Sequence, residues 1–282
     1  MDVERELASQ GEAHRDAVQE HVNAHFDSTA SYWDGVYRDG DVQSLIYQLR
    51  QAVVLDNVAA AGLSDGAPVL EIGCGAGHLT MRLAERGLRV NAVDASQAMV
   101  DVTSQRMAQA GLAERVTVRT ADVHALPFEA GSFDLVVAVG VIPWLHSPAA
   151  AVQEMARVLR PGGQIILTAD NRARLTSFTD PRAVLALSPL RRVWVALRRR
   201  RRSLASSRLD YPRQIDDLLA QARLRPLARR TVGFGPLSFL GRSLFGDRLN
   251  VRINDRLQAL ADRGLRGLRW TGWHYVVRAR RL

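Results

Sequence analysis

Residues 69–80 read Val69-Leu70-Glu71-Ile72-Gly73-Cys74-Gly75-Ala76-Gly77-His78-Leu79-Thr80, and the order of residue types in them is that of a strand, a tight turn and a helix. A short apolar run carries an acid near its end, three glycines alternate, and Leu79, Leu83 and Ala84 then recur at helical spacing. Glycine permits a tight turn and lets a ligand approach the backbone closely. The helix that starts behind such a turn presents unpaired N–H groups beside that ligand. The spacing is G-x-G-x-G; a dinucleotide turn would place glycine at 78, where histidine stands. A pyrophosphate-binding turn is therefore disfavoured.

Working outward, strand and helix patterns alternate. Residues 43–61 predict a helix ending near Gly62, 69–72 a strand, and 79 onward a helix closed by Gly87. Residues 89–93 form the next strand, and Ser96 can cap a helix running to about Ala110, with Gly111 behind it. Strands follow at 116–120 and 133–139. Ser147-Pro148 reads as a cap with proline at the first helical position, for a helix reaching Leu159. Arg160-Pro161-Gly162-Gly163 then turns into a strand over 164–169. The strands are continuous apolar runs, as strands buried on both faces should be. Repeated strand–helix–strand units imply right-handed crossovers and a parallel sheet covered by helices on both faces.

The acids at the strand ends have a chemical use. Asp94 lies 23 residues after Glu71 and can accept hydrogen bonds from both hydroxyls of a ribose. Asp122 followed by the Val123 backbone N–H suits the amino edge of an adenine. The strand over 133–139 leads into Gly140-Val141-Ile142-Pro143-Trp144-Leu145 at the carboxyl edge of the sheet, where open α/β sheets bind ligands.

These pieces together resemble the class I S-adenosylmethionine-dependent methyltransferases, in their small-molecule branch. The resemblance covers residues 69–170 and rests on EIGCGAG at 71–77, AVDAS at 92–96, ADVHALPF at 121–128, FDLVVAVGVIPWL at 133–145 and RVLRPGG at 157–163. HFDSTASYWDGVY at 25–37 also resembles the segment that covers the cofactor in such enzymes. The resemblance implies a Rossmann-like, seven-stranded, mostly parallel sheet, whose last two strands form an antiparallel pair at about 225–232 and 273–280. It implies S-adenosylmethionine as cofactor. Gly73, Gly75 and Gly77 would line the methionine portion, supported by Glu71; Asp94 would hold the ribose, Asp122 and Val123 the adenine, and Val139 would sit beside the sulfonium. Tyr32, with Trp33 and Tyr37, can pack on the cofactor or close over substrate; anchoring the N-terminal helix to the core is the equal alternative. Arg50 can reach the cofactor carboxylate or lie on a solvated face.

Methyl transfer from a sulfonium is an in-line displacement that mainly needs alignment and exclusion of water. A general base helps when the acceptor is a hydroxyl of high pKa. His146, after Trp144-Leu145, is the base candidate, against a loop histidine that positions the next helix. His124 reads as a surface residue, with approach to the cofactor as the alternative, His274 as structural, His78 as a helix-start residue and Cys74 as a small buried residue. No spacing of histidine, cysteine and carboxylate suggests a metal, and none is expected.

The four regions predicted are an N-terminal helical cap at 1–45, with a helix near 12–26, the cofactor-binding core at 46–170, a basic lid or insertion at 171–210, and a C-terminal completion of the sheet and substrate cover at 211–282. The chain has 282 residues, 47% of them hydrophobic, enough for one substantial core with a lobe. All 38 basic residues are arginine. Residues 1–170 carry 12 Arg against 22 Asp and Glu; residues 171–282 carry 26 Arg against 7 Asp. The halves are thus oppositely charged. A helix started by Ser188-Pro189 places Leu190, Val193, Trp194 and Leu197 on one face. It is read as a lid, with membrane or acidic-partner contact through the Arg-rich residues 191–202 as the alternative. Residues 232–245, apolar and glycine-punctuated, suit an apolar substrate pocket, an interface or a core connector, covered by a helix at about 247–263. The polar, acidic N-terminus lacks the pattern of a secretory signal, no apolar run approaches membrane-span length, and the single Cys74 excludes an internal disulfide; these fit a cytoplasmic protein.

The expected function is methylation of a small molecule, an O-methylation of a hydrophobic or secondary metabolite. Nucleic-acid methylation is the alternative suggested by the basic half. Val139-Gly140-Val141-Ile142 stands where an N/D-P-P-Y loop would be, and interleaved aromatic and basic stacking motifs are missing. A non-catalytic cofactor-binding protein is the third reading.

Overall fold

The computed structural model describes residues 22–24, 26–29, 33, 35–36, 41–179, 208–239 and 242–282. Tyr32, Tyr37, the first part of the predicted N-terminal helix and the Arg-rich residues 191–202 lie outside the described residues. Helical backbone is seen at 22–24 and 26–29.

The elements are α1 (Val42–Ala59), β1 (Pro68–Ile72), α2 (His78–Ala84), β2 (Arg89–Asp94), α3 (Gln97–Gln109), β3 (Val116–Thr120), β4 (Phe133–Ala138), α4 (Pro148–Val158), β5 (Leu159–Asp170), α5 (Pro212–Gln221), β6 (Leu224–Val232), α6 (Asp247–Asp262) and β7 (His274–Arg281). A two-residue hairpin, Ser238–Phe239 against Arg242–Ser243, precedes α6. The seven strands form one sheet in the order β3-β2-β1-β4-β5-β7-β6. β1 to β5 pair in parallel, and β7 runs antiparallel between β5 and β6.

Strand periodicity sorts the core into two layers. Leu70, Ile72, Val136, Ala138, Ile165 and Leu167 face α4 and α5, meeting Val152, Met155, Ile215 and Leu219. Val69, Leu135, Val137 and Ile166 face the other way, onto Val54, Leu79, Leu83 and Met107. Helices therefore cover both faces, as the continuous apolar strands predicted.

Two local readings are corrected. Ser147 makes no side-chain capping bond, although Pro148 does open α4. The Arg160–Gly163 turn is absorbed into β5 as a bulge: Phe133 pairs with Leu159 but Leu135 pairs with Gln164. Gly163 is forced there, since a Cβ would lie 2.9 Å from the Arg160 carbonyl oxygen.

Two side chains of α4 hold the loop after β3. Glu154 Oε1 accepts from Leu126 N at 3.0 Å, and Arg157 donates to the carbonyls of Phe128 at 2.9 Å and Leu126 at 3.1 Å. The two side chains pair through Arg157 Nη2 and Glu154 Oε1 at 2.7 Å, which holds the Glu154 carboxyl below its ordinary pKa. Arg157→Leu is expected to cost about 1–3 kcal/mol, because the loop carbonyls and Glu154 lose charge-assisted partners. Thermal unfolding checks this.

Candidate functional site

A cavity of about 220 Å³ opens at the carboxyl ends of β1, β2 and β4. Its floor is the glycine turn. Gly73, Gly75 and Gly77 have φ of 70°, 51° and 78°, a region that L side chains rarely adopt. The Gly73 and Cys74 N–H groups donate to the Val93 carbonyl at 2.8 and 3.1 Å, which fastens the turn to β2. Thr103 Oγ1 donates to the Gly75 carbonyl at 2.6 Å, and Arg106 donates to that of Ala76. At Gly75 an added Cβ would meet nothing within 4 Å, so open space lies on that side of the turn.

Asp94 ends β2 under the turn. Its Oδ2 accepts from Gly75 N at 2.9 Å and its Oδ1 from Ser96 N at 3.0 Å. Ser96 caps α3 through Met99 N at 3.1 Å and also donates to Asp27 of the N-terminal segment. Burial raises the Asp94 pKa, while the backbone donors hold it down. Glu71 is fully buried beneath the cavity, and its Oε2 has no hydrogen-bond partner among the described residues. Burial raises its pKa from 4.5 to about 8, against a lowering contribution from the Thr80 hydroxyl and with a smaller push from the Asp94 charge. The same burial and the two acids push the Cys74 thiol up, so that group is inert as a nucleophile.

A carboxyl whose folded pKa is raised loses stability as pH climbs. Between pH 4.5 and about 8 the folded chain holds a Glu71 proton that the unfolded chain has released. Stability of the ligand-free chain should fall over that window, by on the order of 5 kcal/mol in total, and level off above it. Glu71→Gln should flatten that part of the profile, read as unfolding midpoint against pH.

Asp122 and Val123 also line the cavity. Asp122 Oδ1 accepts from His124 N at 2.9 Å and contacts His124 Nδ1 at 2.8 Å. Burial opposes ionisation of Asp122, yet these bonds and the His124 and His146 charges bring its pKa below the ordinary value. His146 stacks on His124, with centroids 3.8 Å apart, and is not among the residues lining the cavity. Val139 and Gly140 follow β4 at the far wall. Gly140 N donates to Thr168 Oγ1 at 2.8 Å, and a Cβ on Gly140 would come 3.4 Å from the Arg50 guanidinium. Arg50 is buried on α1 and lies over the Tyr47 ring at 4.8 Å.

The cavity holds a histidine that sequence reading assigned to structure. His274 begins β7 and pairs in register with Asp170, the last residue of β5. Because β7 is antiparallel, its first residue reaches the edge where the parallel strands end. Both residues line the cavity, and His274 Nδ1 lies 3.1 Å from Asp170 Oδ1. Aromatic rings run across the roof towards it. Trp144 meets Phe26 edge-on at 5.1 Å, Phe26 lies 6.0 Å from Trp33, Trp33 lies 6.0 Å from Tyr47, and Tyr47 lies 5.7 Å from His274. Among the described residues, no group of three histidines, cysteines or carboxylates is placed to hold a metal, and no helix is long and apolar enough to cross a membrane.

Residues 70–167 match the family model described as a methyltransferase domain. The chain is 33% identical over 142 residues to a ubiquinone biosynthesis O-methyltransferase of Xanthomonas axonopodis pv. citri, covering 50% of this chain and 56% of that one. It is 29% identical over 105 residues to a sterol 4-C-methyltransferase of Caenorhabditis elegans, covering 37% and 31%. The chain thus spans about half or less of the curated relatives it matches. Among solved structures it is similar to magnesium protoporphyrin IX methyltransferase from Synechocystis PCC 6803 with bound S-adenosylhomocysteine. The TM-score there is 0.62 at 19% identity, over 93% of this chain and 98% of that one. The [4+2]-cyclase SpnF gives a TM-score of 0.59 at 19% identity, over 92% and 94%. The fold is that of the class I S-adenosylmethionine-dependent methyltransferases, and a fold of this kind supports more than one chemistry.

Proposed function

We propose that this chain, whose residues 70–167 match the model of a methyltransferase domain, binds S-adenosylmethionine and transfers its methyl group to a small molecule. The observation that carries the reading is the glycine turn at the end of β1 held over the Asp94 carboxylate. The donor is a cation at sulfur, and the Asp94 carboxyl lies beneath the turn, with the buried Glu71 carboxyl beside it. The open face at Gly75 fits a ligand seated there.

In this reading Asp94 accepts from the ribose hydroxyls, and Gly73, Gly75 and Gly77 bound the methionine portion. Glu71 acts through the turn. Val139 lies beside the sulfonium. Asp122 and the Val123 N–H read the adenine; both bonds from His124 use Asp122 Oδ1, which leaves Oδ2 for the amino edge. Arg50 pairs with the amino-acid carboxylate. His146 belongs to the adenine side, where it backs His124. The protein's contribution is to align donor and acceptor behind the aromatic roof and keep water out.

The finer reading is O-methylation of a hydrophobic acceptor. It is supported by the aromatic roof and by the relatives named for ubiquinone biosynthesis. Calorimetry with the purified chain tests the core of the proposal. Binding of S-adenosylmethionine that S-adenosylhomocysteine displaces and NAD does not is the expected result; no heat with either sulfur compound would contradict it.

A further inference from the structure

We infer that His274 is the general base of the transfer and Asp170 its positioning residue, acting on an acidic O–H (a phenol or enol) presented along the aromatic roof. This rests on the reading above.

The geometry is that of an oriented imidazole. Asp170 lies 3.1 Å from Nδ1, so a carboxylate there fixes the proton on Nδ1 and leaves Nε2 as the basic atom. That Nε2 has no hydrogen-bond partner among the described residues, although His274 is only 4% exposed and lines the cavity. A buried ring nitrogen without a partner costs stability unless something occupies it. The groups facing His274 are Asp170 on β5, Tyr47 and Arg50 on α1, and Arg174 beyond β5. Burial lowers the His274 pKa, and the Arg50 and Arg174 charges add to that, against Asp170. These influences favour the neutral imidazole, whose Nε2 lone pair is the atom free to accept from an acceptor hydroxyl. The roof from Trp144 to Tyr47 ends on the His274 ring, so a planar acceptor lying along it meets the base at its end. His146, stacked on His124 and away from the cavity lining, has no such position.

The step balances without a further reagent. The acceptor O–H proton passes to His274 Nε2. The acceptor oxygen forms the new O–CH₃ bond as the S–CH₃ bond of the sulfonium donor breaks. The bonding pair stays on sulfur as the neutral thioether, and the proton leaves to solvent with the product.

The test uses the full chain loaded with S-adenosylhomocysteine, so that no turnover occurs, and 4-nitrophenol as the acceptor probe. Its visible phenolate band is followed against pH. In the parent protein the bound phenol should ionise about tenfold more readily than in free solution. In His274→Gln the advantage should vanish while S-adenosylhomocysteine binds within about twofold of the parent. Asp170→Asn, which keeps the imidazole but removes the carboxylate, should shift the midpoint part of the way back. Histidine ¹⁵N spectra of the unaltered protein give a reading independent of any variant: one buried Nε2 should change from unprotonated to protonated as the phenol binds. A parent chain that binds S-adenosylhomocysteine yet leaves 4-nitrophenol titrating as in solution, or an advantage that survives His274→Gln, overturns the assignment alone. A parent chain that binds neither sulfur compound removes the cofactor reading and this assignment with it.

Discussion

Asp94→Ala is expected to weaken S-adenosylmethionine binding by about two to three orders of magnitude, because two charge-assisted hydrogen bonds to the ribose are lost together. The loss exceeds those bonds alone. The same carboxylate anchors Gly75 N at 2.9 Å and Ser96 N at 3.0 Å, so the turn that frames the cofactor also loosens. Asp94→Asn separates the two parts, since an amide oxygen can still accept one of these bonds without the charge. Its affinity should fall between those of the parent and the alanine variant. Calorimetry at fixed pH measures all three. Affinity within threefold of the parent for Asp94→Ala would contradict the ribose assignment.

The second large effect concerns Gly73. Its φ is 70°, and an added Cβ would lie 2.5 Å from Val141 Cγ2. Gly73→Ala therefore combines backbone strain of about 1–2 kcal/mol with overpacking of about 1–3 kcal/mol. The unfolding free energy should fall by their sum, and cofactor affinity should fall with it, because the loop after β4 is pushed away. The two causes can be told apart. Adding Val141→Ala removes the colliding methyl groups and should recover the overpacking share, leaving the strain. Denaturant unfolding of the single and double variants reads this, and a double variant no more stable than Gly73→Ala would show that the collision is relieved by some other movement.

Much of the fold was legible because buried parallel strands must be continuous apolar runs and their turns must carry glycine. Val116–Thr120 begins and ends where the pattern placed it, and Gln97–Gln109 starts one residue after the Ser96 cap. Other features depend on distance in space that a linear pattern does not carry. Glu154 and Arg157 look like an ordinary surface pair on α4, yet they hold backbone 28 to 31 residues away. The Arg160–Gly163 segment has the composition of a turn, but pairing on both sides of it makes it a bulge.

The site divides in the same way. Gly73, Gly75, Gly77 and Asp94 sit in one short stretch whose spacing states their geometry. His274 is separated from Asp170 by 104 residues and sits in a strand, where a histidine ordinarily reads as part of the core. The signal that was available is topological: an antiparallel last strand begins where parallel strands end, so a polar residue at its start belongs to the ligand edge. His146 follows β4 in sequence and looked closer to the chemistry, but the short helical turn at Ile142–Trp144 puts Trp144 on the cavity wall and leaves His146 beyond it.

A crystal structure of the chain with S-adenosylhomocysteine is the decisive measurement for the cofactor site. The ribose hydroxyls are expected on the Asp94 carboxylate, the amino-acid portion against Gly73 to Gly77, and the sulfur facing the space beneath the aromatic roof. Density for the ligand at another place on the sheet, or contact with Asp94 through something other than the ribose, would contradict it.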